Sequence, residues 1–253
     1  MRLNIKNLNI GYNHKTIARD INLSLLQGEF CVLLGKNGSG KSTLIKTISS
    51  IIPKLSGEII LNDKEIEQYN AKEKSKLLST VLTDKIGLPL SVKEILYLGR
   101  QAYTSFFDIL NNRDIDIIQN VVKDLELDAF LDLPIQKLSD GERQKVMIAR
   151  ALAQETPFII LDEPTTHLDL ENKALLLKLL KKISRKQNKG ILFSTHDVNL
   201  VLPIVDKVWL LDNALLKEFD TIETINQAIY DLFHSDNLKY DKSSKKFSIA
   251  CEE

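Results

Sequence analysis

Apolar and polar residues change period several times along the chain, and each change marks an element. Residues 2–10 alternate in part, with Leu3, Ile5 and Leu8 to Ile10 carrying the apolar positions of a half-buried strand. Residues 21–26 and 30–34 predict two further strands, the second being the unbroken apolar run Phe30 to Leu34. Short β-like runs follow at 57–62 and 79–82. Phe158 to Leu161, Ile191 to Phe193 and Val208 to Leu211 are again continuous and apolar, as parallel strands covered on both faces require. Residues 170–187 place Leu176, Leu179, Leu180 and Ile183 at helical spacing with lysines opposite. Strands alternating with helices predict an α/β fold built on a largely parallel sheet.

The middle of the chain breaks this alternation. From about 91 to 155 the pattern is mostly helical, over 92–100, 114–126 and 141–154, which predicts a helical insert between the early strands and the strand at 158. Near the end, Leu238 and Tyr240 stand opposite Phe247 and Ile249 across a Lys/Ser-rich turn, the pattern of a small hairpin. No apolar run approaches the roughly 20 residues that a bilayer-crossing helix needs.

Composition narrows the function classes. Among 253 residues, Lys+Arg and Asp+Glu both number 34, so the excess basic charge of a non-specific nucleic-acid or anionic-membrane binder is missing. The two cysteines, Cys31 and Cys251, lie far apart and exclude a disulfide framework or a cysteine-rich zinc site. The opening segment alternates like a strand and has no secretory apolar core, so a soluble, intracellular protein is expected.

Three segments carry chemistry. Gly35-Lys-Asn37-Gly38-Ser39-Gly40-Lys41-Ser42-Thr43 has the form G-x-x-x-x-G-K-[ST], follows an apolar strand and opens a helical pattern. The glycines let backbone N–H groups turn inward around phosphate oxygens, and the helix N-terminus adds its positive dipole end. Lys41 supplies a point charge for the β- and γ-phosphates of a nucleotide, and Ser42 a hydroxyl for Mg²⁺. The second segment is Phe158 to Leu161 followed by Asp162-Glu163, two acids at the C-terminal end of a buried strand, where α/β folds bind their ligands. Asp162 there can hold the metal, and Glu163 can orient or deprotonate an attacking water. An acidic cap before the turn at Pro164 is the plainer reading, and it loses force beside the phosphate loop. The third is Leu138-Ser139-Asp140-Gly141-Glu142-Arg143-Gln144, whose Ser139 and Glu142 have the spacing of a capping box. A capped helix start with Gly141 and a free Ser139 hydroxyl is also an anion site.

The stretch LSDGERQ resembles the LSGGQ signature of the ATP-binding cassette (ABC) ATPases, with Asp140 in place of a glycine. Over residues 1–235 the order of motifs is similar to that family throughout. The resemblance implies a P-loop NTPase with a parallel-sheet core, an antiparallel β subdomain and a helical insert at about 91–155, residues 236–253 being an extension. It implies ATP and Mg²⁺ as ligands, with Gly35, Asn37, Gly38, Ser39, Gly40, Lys41, Ser42 and Thr43 around the phosphates. Tyr12, after Gly11, resembles the A-loop aromatic that stacks on adenine. Ser139, Gly141 and Glu142, with Asp169 of the D-loop-like His167-Leu168-Asp169, would close over ATP held by a second copy in a head-to-tail dimer. His196 in Ser194-Thr195-His196-Asp197 resembles the switch histidine that steadies Glu163 and the water. The family's Q-loop glutamine is absent: Thr83 stands at its place and Asp84 beside it, and either is a candidate toward Mg²⁺.

Leu98-Gly99-Arg100 with Tyr103, the LSDGERQKVMIARAL stretch and the element from Phe233 to Ile249 resemble the cassettes of bacterial importers for iron-siderophore, haem or cobalamin complexes. That branch implies a cytoplasmic, peripheral position on the inner membrane and a separate permease, for which Tyr103, Phe106 and Phe107 are candidate docking residues. A soluble single-cassette ATPase of iron–sulfur cluster assembly is the alternative. A nucleic-acid partner is not expected, because neither a second cassette nor a long coiled-coil insertion is present.

Overall fold

The computed structural model describes residues 1–13, 15–82, 89–104, 109–220, 224–225, 238–241 and 246–249. In chain order come β1 (Arg2–Tyr12), β2 (Lys15–Leu26), β3 (Phe30–Gly35), α1 (Lys41–Ile48), β4 (Ser56–Leu61) and β5 (Lys64–Glu65). Next are α2 (Ala71–Ser75), β6 (Leu78–Val81), α3 (Val92–Leu98), α4 (Asn112–Asp124), α5 (Asp140–Ala153), β7 (Phe158–Leu161) and α6 (Leu170–Lys186). The chain continues through β8 (Gly190–Ser194), α7 (Val198–Val201), β9 (Lys207–Asp212), β10 (Leu215–Phe219), β11 (Leu238–Asp241) and β12 (Lys246–Ile249).

The central sheet has the order β10-β9-β3-β8-β7-β6, parallel except for β10. Its apolar runs are continuous because each strand feeds two cores. Phe30, Val32 and Leu34 of β3, Ile159 and Leu161 of β7, and Ile191 and Phe193 of β8 pack with the helices α3 to α6. The alternate residues Cys31, Leu33, Phe158, Ile160 and Leu192 pack on the other side with α1 and a second sheet, β2-β1-β4-β5. That second sheet is antiparallel.

β2 starts six residues earlier than the apolar pattern suggests. Register shifts interrupt its pairing with β1, and Asn7 and Asp20 take positive φ angles of 47° and 53°. These irregularities break the alternation on which a strand reading depends. β10 carries no obvious signal either: only Leu216 of its five residues is buried, and its turn uses Asn213-Ala214, both at positive φ, without the glycine that marks such turns. At the far end, β11 pairs antiparallel with β12, with Leu238 opposite Ile249 and Tyr240 opposite Phe247.

The helical layer is held by one buried guanidinium. Arg100 Nε and Nη2 each lie 2.9 Å from Asp114 Oδ1 at the start of α4. Nη1 donates to the Ala153 carbonyl at the end of α5 at 2.7 Å and to Glu155 at 3.1 Å. Gly99 lets α3 come this close, since a Cβ there would sit 2.6 Å from the Arg150 carbonyl oxygen. Removing one partner of a buried pair strands the other charge, which costs about 3–5 kcal/mol. Arg100→Met is therefore expected to lose about that much in urea denaturation, and Arg100→Met/Asp114→Asn less than the sum of the single losses. A single loss below about 1 kcal/mol would show that Arg100 is not the clamp of this layer.

Candidate functional site

The phosphate-loop residues lie where β3 leaves the sheet and α1 begins. Gly38 and Gly40 have φ angles of 77° and 111°, both in the left-handed region. A Cβ on Gly38 would meet nothing, whereas one on Gly40 would lie 2.4 Å from Ile17 Cγ2. The N-terminus of α1 has no side-chain cap and no acid in its first turn. Its leading amides are thus left for an external acceptor. Lys41 is buried and folds back over the loop, donating to the Gly35 and Lys36 carbonyls at 2.8 and 3.2 Å. Burial lowers the Lys41 pKa, and Glu163 and Asp162 oppose that shift. Ser39 Oγ is buried without a partner among the described residues. An uncapped helix, an orphan hydroxyl and a cation facing two carboxylates suit a polyphosphate carrying a divalent cation. Ser42 is exposed at the helix start, and Thr43 is buried. Asn37 lies exposed between the two turns of the loop.

The acidic pair sits one strand beyond β8. Asp162 is 1 % exposed, and its Oδ1 accepts a hydrogen bond from Ser194 Oγ at 2.6 Å. Glu163 has a φ of 46°, and its amide donates to the same Ser194 Oγ at 2.9 Å. Glu163 Oε2 accepts from Thr166 Oγ1 at 3.0 Å and lies 3.7 Å from His196 Nδ1. The His196 side chain is half-exposed, so the pair opens toward solvent. Asp197 next to it bonds Lys173 on α6 at 2.8 Å. Thr166 and Lys173 belong to no motif of the sequence, and Ser194 enters only as the first residue of Ser194-Thr195-His196-Asp197.

The signature residues face elsewhere. Ser139 caps α5, but its hydroxyl is not free: it donates to Glu142 Oε2 at 2.6 Å and accepts from the Glu142 amide at 3.3 Å. The capping box is closed, and these bonds from Ser139 hold the Glu142 carboxyl below its usual range. Asp140 is paired with Arg143 at 2.7 Å. Gly141 packs against Leu168, where a Cβ would come within 3.0 Å. Asp169 caps α6 through the Asn172 amide at 2.8 Å. Ser139, Asp140, Gly141, Glu142, His167 and Asp169 share an open cleft of about 410 Å³. No residue of the phosphate loop, and neither Asp162, Glu163 nor His196, lines it. On one chain the two groups of residues are therefore separate.

Tyr12 ends β1 with 46 % exposure, an aromatic surface available for stacking. Tyr103 is committed within the chain: its hydroxyl donates to the Gln154 carbonyl at 3.0 Å, and the Arg100 guanidinium lies 4.0 Å from its ring centroid. It is half-buried and takes part in the packing of the helical layer. Phe106 and Phe107 lie outside the described residues, as do Thr83 and Asp84. β6, which leads to Thr83, runs beside the acidic strand: the Asp162 amide donates to the Val81 carbonyl at 2.8 Å. Among the described residues there is no cluster of three or more His, Cys, Asp and Glu fit to hold a metal by itself, and no helix is long and apolar enough to cross a membrane.

The family model for ABC transporters matches residues 18–166. The iron(3+)-hydroxamate import ATP-binding protein FhuC of Bacillus subtilis is 38% identical over 198 residues, covering 78% of this chain and 74% of that protein. A metal-chelate type ABC transporter, solved in an inward-facing conformation, superposes with a TM-score of 0.78 at 29% identity, covering 92% of this chain and 88% of its own. A dimeric cassette in a post-hydrolysis state with ADP and Pi superposes with a TM-score of 0.76 at 25% identity, covering 87% of this chain and 98% of its own.

The two glycines of the loop separate strain from crowding. An alanine in the left-handed region costs roughly 1–2 kcal/mol at either position. At Gly40 it must also displace Ile17. Gly40→Ala is expected to weaken binding of a fluorescent ATP analogue about tenfold or more, and Gly38→Ala less. Equal, small effects would mean that the close contact with Ile17 does not shape the loop.

Proposed function

The chain belongs to the ABC transporter family and is an ATPase that binds ATP; on that footing we propose that it powers import of an iron chelate through a separate membrane permease. The observation that carries the ATPase half of this reading is the meeting of Lys41, Asp162, Glu163 and His196 at the C-terminal ends of adjacent strands. The importer half rests on the likeness to a cassette named for iron(3+)-hydroxamate import and to a metal-chelate type transporter. Those names favour import over the alternative role in iron–sulfur assembly.

Each residue then has a task. The loop amides from Gly35 to Thr43 and Ser39 Oγ cradle the phosphates, and Lys41 neutralises part of their charge. Burial loosens the Lys41 proton, and the negative phosphates act on it in the same sense as Asp162 and Glu163, holding it as an ammonium. Ser42 and Asp162 would hold Mg²⁺, which would supply positive charge against the phosphates. Thr83 and Asp84 remain the two candidates for the Q-loop contribution. Glu163 orients the attacking water and takes its proton, while His196 and Thr166 fix the rotamer of its carboxylate. Tyr12 stacks on the adenine.

The signature half-site completes the pocket of a second copy, with Ser139 and Gly141 approaching the ATP bound at the partner's Lys41. Because the Ser139 hydroxyl is engaged by Glu142, that contact requires the capping box to share or exchange a hydrogen bond. The assembly sits on the cytoplasmic face of the membrane, with the permease meeting the helical layer near Tyr103, Phe106 and Phe107.

Loss of a general base lowers turnover by roughly 100-fold or more. Glu163→Gln is therefore expected to hydrolyse ATP at least that much more slowly while binding it normally, as measured by phosphate release and equilibrium titration. Turnover near the wild-type rate would remove Glu163 from this role. Cells lacking the chain are expected to lose uptake of a radioiron-labelled hydroxamate chelate and keep uptake of free zinc. Unchanged chelate uptake would contradict the importer assignment while leaving the ATPase intact.

A further inference from the structure

One buried hydroxyl joins the two acids. Ser194 is fully buried at the C-terminal end of β8, between β3, which feeds the phosphate loop, and β7, which carries Asp162-Glu163. Leu33 is its partner across β3, and Leu161, just before the acids, pairs with Phe193. The Ser194 hydroxyl accepts the Glu163 amide at 2.9 Å and donates to Asp162 Oδ1 at 2.6 Å. The bonds therefore run in one direction, from amide through hydroxyl to carboxylate, and a polarised relay of this kind strengthens both links. No other side chain bonds the Asp162 carboxylate among the described hydrogen bonds. The backbone of Glu163 also sits in a region that L-residues rarely adopt, and such a conformation persists only where its surroundings enforce it. The acceptor held against its amide is one such constraint.

We propose that Ser194 is the positioning residue of the site. It fixes which Asp162 oxygen faces the metal, and it holds the turn that aims Glu163 at the water. In this role Ser194 acts through its two neighbours, the Glu163 amide and Asp162 Oδ1. The proposal rests on the roles given above to Asp162 and Glu163. Alanine leaves the Asp162 oxygen without its donor and the Glu163 amide without its acceptor. Cysteine keeps the volume and supplies only a weak donor and a weak acceptor. Threonine keeps the hydroxyl.

The test compares Ser194→Ala, Ser194→Cys and Ser194→Thr in the full chain, reading Mn²⁺ affinity of the ATP-loaded protein by electron paramagnetic resonance beside steady-state kinetics. Groups that orient a metal's ligands typically contribute about 10- to 100-fold to metal affinity or activity. The alanine and cysteine variants are expected to lose Mn²⁺ affinity and kcat on that scale, with metal-free ATP affinity and KM within about twofold of wild type. Threonine is expected to restore both. If alanine fails to fold, the isosteric cysteine variant carries the test. Wild-type Mn²⁺ affinity and kcat in the cysteine variant would overturn the proposal, as would an equal loss in the threonine variant, which would indicate packing in place of hydrogen bonding. Asp162→Asn and Glu163→Gln, measured alongside, separate the layers. If both lose function and the Ser194 variants do not, the proposal alone fails. If Asp162→Asn keeps Mn²⁺ affinity and Glu163→Gln keeps turnover, the roles beneath it fail as well, and the proposal with them.

Discussion

Coverage of the central sheet on both faces is the constraint from which the rest follows. With helices on one side and an antiparallel sheet on the other, every residue along β3, β7 and β8 is buried. Unpaired polar side chains cannot be placed within such strands without a desolvation cost of several kcal/mol. Reactive groups therefore gather where the strands end. β3, β8 and β7 are neighbours, so their ends bring the phosphate loop, the switch-like histidine and the acidic pair to one edge. The serine between them belongs to both worlds: a fully buried residue of the core whose hydroxyl organises the first polar groups outside it.

The signature residues are not part of that edge. Ser139 and Gly141, at the start of α5, open onto a cleft shared with the D-loop-like segment, and Lys41 does not line it. Gly141 packs on Leu168, and Asp197 beside His196 bonds Lys173, one turn into the helix that Asp169 caps. The signature cleft and the segment that carries His196 are thus joined through α6. The proposed head-to-tail pairing would use that connection, since a partner's nucleotide pressing on the signature cleft also presses on the segment tied to His196.

Legibility followed the strength of local rules. The parallel strands were readable because double coverage leaves unbroken apolar runs, and the phosphate loop because glycines at φ angles of 77° and 111° have few substitutes. α5 and α6 were readable from helical period, α5 also from its capping residue Ser139. Where pairing is irregular or the turn chemistry unusual, the signal vanished, as in the first half of β2 and at the Asn213-Ala214 turn before β10. At the site, residue type told what chemistry was present and said little of what each group was doing. The Ser139 hydroxyl is spent within its own cap, and Tyr103 is spent on Gln154 and Arg100; in both cases a neighbour brought close by folding claimed the group. The link from Ser194 to Asp162 spans 32 residues and depends on strand register, which no local pattern encodes.

A structure of the protein with ATP bound, in the Glu163→Gln background, tests the account most directly. It should show two chains facing head to tail, with each nucleotide's phosphates within hydrogen-bond distance of Lys41 of one chain and of Ser139 or Gly141 of the other. A nucleotide enclosed by a single chain, or phosphates that leave the signature cleft empty in the assembled pair, would contradict it.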